Sequence, residues 1–288
     1  MNIKVLESHH FNPQIYDQLQ KYLVKHGLPK IGFYHVVAIR EQSVIAVGIL
    51  YQNRKHPYRD YLLVYDSEGS LGSSLFTEFI CRLEENSKRK RLQLLLNSKN
   101  TYLYQLLELN GFYVVRTTYL IELNKLNCID ITKRKTKKLN QMFLNEWIEF
   151  KRLFHSNYSQ YHEDVNPLAK DISPNQLFET LENINLEKSK ILFSEDNDRT
   201  SVEPSIIAYI LIGDYDDNSI EIAYLGGLYE ESINVYLDFF QNEFHLLLMK
   251  YKTIYFEADD SDYYAFTLIK KLNCDLSNSL KTFIKDIN

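Results

Sequence analysis

The segment with the clearest chemical potential is a glycine- and serine-rich stretch that follows an apolar run. Residues 61–65 read Tyr-Leu-Leu-Val-Tyr, and residues 66–74 read Asp-Ser-Glu-Gly-Ser-Leu-Gly-Ser-Ser. A loop that leads from a strand into a helix suits anion binding, because the first helical N–H groups have no internal partner and the helix dipole favours negative charge there. Glycines allow close backbone approach, and serine hydroxyls are further donors. The segment predicts a phosphate-binding loop, with helix capping as the alternative.

A second informative set of residues follows the next apolar run. Residues 92–96 read Leu-Gln-Leu-Leu-Leu, which indicates a strand covered on both faces. Asn100 then precedes a helical pattern, where it could contact a cofactor or serve as a plain helix N-cap. The helical pattern ends at Gly111 and Phe112.

In sequence and spacing, these segments resemble the GNAT superfamily of N-acyltransferases. The loop of that family is Gln/Arg-x-x-Gly-x-Gly/Ala, and residues 67–72 match its frame with serine at the first two key positions. The family later shows Asn-x-x-Ala-x-x-Leu-Tyr-x-x-x-Gly-Phe, which Asn100, Leu106, Gly111 and Phe112 match. The resemblance covers residues 33–123 well and residues 189–286 more loosely.

The resemblance implies where an acyl-CoA would bind. Its pantetheine would lie in a gap between the strand at 61–65 and the strand at 92–97, with acetyl-CoA as the expected co-substrate and no metal. A primary amine would attack the thioester directly, and a backbone N–H of Val64 or Tyr65 would polarise its carbonyl. The residues expected to contact the cofactor are Leu63, Val64, Tyr65, Gly69, Ser70, Leu71, Gly72, Ser73, Ser74, Asn97 and Asn100.

The catalytic groups depart from the family pattern. The family tyrosine that protonates the leaving CoA thiolate in many members falls on Leu107. Tyr104, one turn earlier, is the expected substitute, with simple packing as the alternative. The amine must also lose a proton, for which Asp60, Tyr61 and Glu78 are the nearest candidates along the chain.

The sequence also repeats at an offset of 162 residues. Residues 43–46 fall on 205–208, and the apolar run 92–96 falls on 254–258. Each copy is expected to contain three strands, a long amphipathic helix, a buried strand, a helix and a final hairpin. The predicted elements of the first copy are 33–40, 44–51, 60–65, 72–86, 92–96, 101–109 and 112–123. Those of the second are 189–195, 205–212, 218–225, 232–250, 252–257, 261–272 and 274–286.

This order of elements predicts an α/β (α+β) protein of two tandem GNAT-like domains, at residues 1–125 and 126–288. Each domain is expected to be a mixed, mostly antiparallel, splayed sheet flanked by helices. Residues 139–155 are predicted to form a helix and residues 156–176 a loop. In the second copy, residues 229–234 read Tyr-Glu-Glu-Ser-Ile-Asn, and their carboxylates would repel a diphosphate. We therefore expect only the first copy to bind CoA.

Composition excludes several other classes of protein. The net charge of −5 and a pI near 5.9 argue against nucleic-acid binding, which needs a basic face. The three cysteines lack metal-site spacing, and the chain has no long apolar stretch or leader signature, so we expect a cytoplasmic protein with no membrane partner. Asp262 and its neighbours indicate a helix cap rather than a calcium loop.

The sequence thus predicts an N-acyltransferase that moves an acetyl or other acyl group from acyl-CoA to a small-molecule or peptide amine. One alternative is a catalytically weak or regulatory CoA-binding module, which the missing tyrosine favours. Another is an aminoacyl or peptidyl transferase built from two GNAT-like halves. The oligomeric state and the acceptor amine are left open.

Overall fold

The structure is a computed structural model that describes residues 3–29, 32–66, 69, 71–126, 134–194 and 205–287. Its strands are β1 (Ile3–Glu7), β2 (Tyr34–Arg40), β3 (Ser43–Tyr51), β4 (Asp60–Asp66), β5 (Arg91–Asn97), β6 (Tyr113–Leu123), β7 (Thr136–Lys138), β8 (Lys190–Phe193), β9 (Ile206–Asp214), β10 (Ser219–Gly227), β11 (Thr253–Asp259) and β12 (Ser279–Asp286). Its α-helices are α1 (Pro13–Lys25), α2 (Ser73–Glu85), α3 (Thr101–Leu109), α4 (Leu144–His162), α5 (Pro174–Glu179), α6 (Ile233–Leu248) and α7 (Tyr263–Lys271).

The chain divides into two units. Unit 1 comprises Met1–Arg116, Val165–Ala169 and Leu280–Asn288, and unit 2 comprises Thr117–Asp164 and Lys170–Ser279. In unit 1 the strand order is β1-β2-β3-β4-β5-β12, with β4 and β5 parallel and the other pairs antiparallel. In unit 2 the order is β6-β11-β10-β9-β8-β7, and β10 with β11 is the parallel pair. The predicted mixed, mostly antiparallel sheets are confirmed.

The units differ from the continuous halves 1–125 and 126–288 because each takes its last strand from the other repeat. Strand β12, at the end of the chain, pairs along its length with β5 in unit 1. Strand β6, at the end of the first repeat, pairs with β11 in unit 2. Both segments were predicted as hairpins, and that prediction was wrong, since each forms one long strand.

The internal repeat is present in the structure at the predicted offset. Strands β5 and β11 start and end 162 residues apart, and so do helices α3 and α7. Strands β3 and β9 deviate from this offset by one residue. The same succession of a strand, a long helix, a parallel strand and a short helix therefore occurs once in each unit.

Helix α2 covers one face of the unit 1 sheet. Phe76, Phe79, Ile80 and Leu83 recur at helical spacing and are fully buried. A Cβ at Gly48 on β3 would lie 2.7 Å from side-chain atoms of Phe79 and Leu83, so the helix packs directly on the backbone of the sheet. This packing fixes the position of α2 on the sheet.

Helices α1 and α4 correct the sequence-based boundaries. Helix α1, which was not predicted, begins where the Asn12 side chain accepts a hydrogen bond from the amide of Ile15 at 2.9 Å. Helix α4 extends to His162, so the predicted loop at 156–176 contains its last two turns. No helix in the described ranges is long and apolar enough to cross a lipid bilayer.

Candidate acyl-CoA site

Strands β4 and β5 of unit 1 are hydrogen-bonded only where they begin. The parallel register joins Asp60 with Leu92 and Tyr61 with Gln93. From Leu62 onward, β4 pairs only with β3 among the described strands, whereas β5 pairs with β12. A gap therefore opens between the two parallel strands on the side of their carboxyl ends, as the resemblance to the GNAT superfamily implied.

The strand residues expected to bind the cofactor lie along this gap. Leu63, Val64 and Tyr65 are half-buried on β4. Successive backbone groups of a strand point in alternate directions, so either Val64 or Tyr65 directs its N–H away from β3 and into the gap. The Tyr65 hydroxyl lies 3.1 Å from Nδ1 of His26, which orients this side chain toward α1.

The loop after β4 leads to an open helix end. Gly69 has a φ of +60°, a left-handed conformation that a side chain would strain. Gly72 is the N-cap of α2, and no described side chain caps this end. Ser73 and Ser74 are exposed, and the amides of the first turn have no acceptor within the helix. Ser70, another expected contact, lies outside the described residues.

Leu71 corrects the expectation that every residue of this loop faces the cofactor. Its N–H donates to Oδ2 of Asp66 at 3.0 Å, its carbonyl oxygen accepts from the hydroxyl of Tyr102, and its side chain is fully buried. The backbone of Leu71 is therefore occupied, and this residue anchors the loop. Tyr102 was not predicted as a site residue, although its place in the first turn of α3, two residues after Asn100, was the available signal.

The two asparagines near α3 shape the backbone. Asn100 caps α3 by accepting from the amide of Leu103 at 3.1 Å, which is the capping alternative considered from the sequence. The side chain of Asn97 accepts from the amide of Lys99 at 2.9 Å. Both side chains are exposed at the carboxyl end of β5, beside the gap.

Tyr104 packs against strand β12. Its ring meets that of Phe283 edge-on, with centroids 5.1 Å apart. Burial and the neighbouring carboxylate of Glu108 raise the pKa of its hydroxyl. Leu107, which stands at the family tyrosine position, is buried in the core. Tyr104 is therefore held by packing, the alternative considered from the sequence.

Asp60 is fully buried and its carboxylate is saturated with donors. It accepts from the amides of Lys88 at 2.5 Å and Arg89 at 3.1 Å, and from the hydroxyl of Ser87 at 2.8 Å. The amide of Gln52 donates to its second oxygen at 3.0 Å. These bonds fasten the turn between α2 and β5, which gives Asp60 a structural role, and its role as proton acceptor stays a prediction.

A buried polar cluster at the closed end of the gap was missed from the sequence. Arg59 donates to Oε1 of Gln93 at 2.9 Å, and both side chains are buried. Burial raises the pKa of Tyr61 to about 12, against the opposing effect of the Arg59 charge. Asn166 lies against Tyr61, and burial lowers the pKa of nearby His56. Polar residues inside an apolar run, such as Gln93 between leucines, were the available signal.

One group of side chains in the described chain has the residue types of a metal site. Glu7, His9 and His10 bring possible ligand atoms within 4.8 Å of one another. The Glu7 carboxylate, however, accepts from Arg82 at 2.5 Å and from the hydroxyl of Tyr34. These hydrogen bonds lower its pKa against the raising effect of burial. The group is therefore organised around an Arg–Glu ion pair.

Unit 2 repeats the gap with a different loop. Strand β10 pairs with β11 from Ser219 to Ile222, and a bulge then shifts its register with β9. The chain continues through a 3₁₀ turn at Glu230–Ser232 into α6. This turn carries two carboxylates, those of Glu230 and Glu231, and no glycine.

The comparisons with known proteins agree with this geometry. No protein-family model matches the chain, and no curated protein does either. A solved GCN5-related N-acetyltransferase from Sphaerobacter thermophilus is similar, with a TM-score of 0.60, 12% identity and coverage of 93% of this chain and 85% of that chain. A tandem GNAT protein from the clavulanic acid biosynthesis pathway is similar over 99% of this chain and 98% of its own, with a TM-score of 0.52 and 8% identity.

The fold is a tandem GNAT fold. A GNAT-family acetyltransferase from Colwellia psychrerythraea matches over 100% of both chains, with a TM-score of 0.53 and 11% identity. At 8–12% identity, these likenesses concern the fold alone. Within this tandem GNAT fold, unit 1 has the open loop and uncapped helix, and unit 2 has the acidic turn.

Proposed function

We propose that unit 1 binds an acyl-CoA and transfers its acyl group, acetyl in the simplest case, to a primary amine. The observation that carries the proposal is the uncapped start of α2 at the open end of the β4–β5 gap. A helix start of this kind offers backbone donors and a positive dipole end to a diphosphate. The gap offers a path for the pantetheine along the edge of β4 that no described strand pairs with beyond Tyr61.

In this reaction the amine nitrogen attacks the thioester carbonyl carbon, the carbon–sulfur bond breaks, and the CoA thiolate leaves. The N–H of Val64 or Tyr65 that points into the gap would stabilise the negative charge on the carbonyl oxygen. Such positioning lowers the barrier without a covalent enzyme intermediate. The proton released by the amine passes to water, since Asp60 is committed to the α2–β5 turn.

The substrate amine would meet the buried polar cluster at the closed end of the gap. Ala169 donates from its amide to the carbonyl oxygen of Lys55 at 2.8 Å, so the segment 165–169 lies against the loop before β4. The segment 165–169 also reaches the cluster of Arg59, Tyr61 and Gln93, because Asn166 lies against Tyr61. The segment and the loop would select a small-molecule or peptide acceptor by shape and hydrogen bonding.

A regulatory CoA-binding module is the second candidate. The burial of Leu107 and the packing of Tyr104 favour it. Leu107 is in the core, and Tyr104 packs against Phe283 with a raised pKa. If Tyr104 does not reach the sulfur, the thiolate needs another proton source. This candidate predicts binding of CoA esters without turnover.

Release of free thiol from acetyl-CoA against a panel of primary amines tests the proposal. We compare the parent with Ser73→Asp, which places a carboxylate at the start of α2. A carboxylate there stabilises the helix but repels a diphosphate, so the variant should keep its melting temperature and lose thiol release.

The matched control is Gln14→Asp, which adds the same charge to the first turn of α1. It should behave like the parent in both stability and turnover. Binding of acetyl-CoA without thiol release from any amine would support the regulatory candidate. Equal turnover by Ser73→Asp and the parent would contradict the proposed site.

A further inference from the structure

Unit 2 contains a cavity of about 830 Å³ beside the acidic turn. Its wall is formed by one face of α4, the start of β9, the turn after β10 and the beginning of α7. The apolar part of the wall includes Ile148, Leu153, Ile206 and Leu228. The volume is within the range of small-molecule sites, and the mixed lining is typical of them.

Two buried polar side chains line the cavity with unused hydrogen-bonding capacity. Tyr264 is 1% exposed, and its hydroxyl forms no hydrogen bond with any described residue. Asn157 is 7% exposed and uses its amide nitrogen to donate to the carbonyl oxygen of Gly227 at 3.1 Å, while its carbonyl oxygen accepts from no described donor. Both residues line the cavity, so their oxygens are available to a ligand that donates hydrogen bonds.

Tyr264 has an equivalent in the first repeat, Tyr102, with which its hydroxyl can be compared. It lies 162 residues after Tyr102, at the same position of the corresponding helix. The hydroxyl of Tyr102 donates to Leu71 and closes the loop of unit 1. In unit 2 the hydroxyl of Tyr264 has no such acceptor in the described loop, and Tyr264 instead lines the cavity.

The charge of the lining selects a cation. Glu149, Glu230 and Glu231 line the cavity together with one guanidinium, that of Arg152, so three negative charges and one positive charge leave a net charge of −2. None of the three carboxylates forms an ion pair within the described chain. Glu230 accepts only neutral hydrogen bonds, from Gln160 and Tyr161, both at 3.3 Å. A diphosphate would be repelled here, whereas an ammonium group would be paired.

We propose that this cavity binds a small organic ammonium ion with an apolar body, in place of coenzyme A. The ammonium group donates to Glu230, to the hydroxyl oxygen of Tyr264 and to the carbonyl oxygen of Asn157. The body of the ligand packs against Leu153 and Ile206. This binding belongs to unit 2 and is independent of acyl transfer in unit 1.

Calorimetry with 2-phenylethylamine tests the proposal, with 2-phenylethanol and 3-phenylpropanoate as neutral and anionic probes of similar shape. The full chain should bind the amine and neither of the other two. The double variant Glu230→Gln, Glu231→Gln should weaken binding at least about tenfold, because it removes the charge-assisted contact to Glu230 and a second negative charge of the lining. Tyr264→Phe removes only an unpaired hydroxyl, so it should fold normally and bind a few times more weakly.

Glu182→Gln is the matched control, because it removes one exposed carboxylate of unit 2 away from the cavity lining. It should leave binding unchanged. No binding of the amine at millimolar concentration, equal affinity of the double variant and the control, or tighter binding of the anion would each overturn the proposal. Thiol release from acetyl-CoA reports separately on unit 1, and the double variant should leave that turnover intact.

Discussion

The hydroxyl of Tyr102 donates a hydrogen bond to the carbonyl oxygen of Leu71, and this bond joins helix α3 to the loop that precedes α2. We expect Tyr102→Phe to lower the free energy of unfolding by about 1 kcal/mol, the usual contribution of one such bond. The loop would lose its fixed position, so the affinity for coenzyme A should fall severalfold. Thermal unfolding and calorimetry measure the two effects.

Tyr113→Phe is the control for this prediction, because it also removes a phenol hydroxyl of unit 1, one bonded to Asp286 at 3.2 Å. It should leave coenzyme A affinity unchanged. Equal losses of affinity in both variants would mean that the Tyr102 bond does not hold the loop.

Asp66 is predicted to limit the affinity of the loop for a diphosphate while it organises the loop. Its carboxylate accepts from the Leu71 amide at 3.0 Å, close to the start of α2. Asp66→Asn keeps an acceptor but removes the negative charge, so coenzyme A should bind a few times more tightly. Asp66→Ala removes the acceptor as well and should bind more weakly than the asparagine variant. Calorimetry at low ionic strength distinguishes them, and the reverse order would contradict the assignment.

Asp60 is predicted to contribute to stability and not to the proton transfer. Asp60→Ala leaves the amides of Lys88 and Arg89 without their buried acceptor, which should cost about 3 kcal/mol of unfolding free energy. Asp60→Asn keeps one acceptor, and its rate per folded molecule should stay within severalfold of the parent. Loss of a general base would instead reduce that rate by about 10²–10⁴-fold. Thiol-release rates normalised to the folded fraction decide between these results.

Asp262 is predicted to make stability depend on pH. Burial raises the pKa of Asp262 to about 7 from 3.8, against the lowering effect of the Ala265 and Tyr264 amides that it caps. Between about pH 4 and pH 7 the folded chain therefore keeps a proton on Asp262 that the unfolded chain has released. The contribution of Asp262 to the free energy of unfolding falls as the pH rises across this range.

Asp262→Asn keeps the helix cap and has no charge to bury. The free energy of unfolding of this variant, relative to that of the parent, should rise by about 2 kcal/mol between acidic and mildly basic pH. This is roughly half of what the pKa shift implies, because the Asp262 carboxyl keeps some contact with solvent. Denaturant unfolding at about pH 4 and pH 8 measures the change. The exposed Asp217→Asn is the control, and a constant difference between Asp262→Asn and the parent would contradict the shifted pKa.

Local pattern was sufficient to predict the repeated elements. The helix at 101–109 has the predicted bounds, and the α2 prediction was within one residue at each end, because its buried phenylalanines recur at helical spacing. The partner of a strand is not encoded in the same way. The pattern of β12 predicts strand structure but not that it pairs with β5 rather than within its own repeat.

The candidate site was predictable in outline and not in detail. Glycines and serines before α2 indicated an open helix end, and α2 begins there without a side-chain cap. The occupation of the Leu71 backbone and the burial of Asp60 depend on contacts with residues far along the chain, which spacing does not reveal. Composition alone could not separate a carboxylate that fastens a turn from one that accepts a proton.

The most direct test of the central claim is to follow the backbone amide resonances at the start of α2 by NMR while coenzyme A is added to the full chain. If the diphosphate binds there, the amides of Gly72, Ser73 and Ser74 should shift in a saturable manner, and those of Glu230 and Glu231 should not. Saturable shifts confined to the acidic turn of unit 2, or unchanged amides at α2 under saturating coenzyme A, would contradict the account.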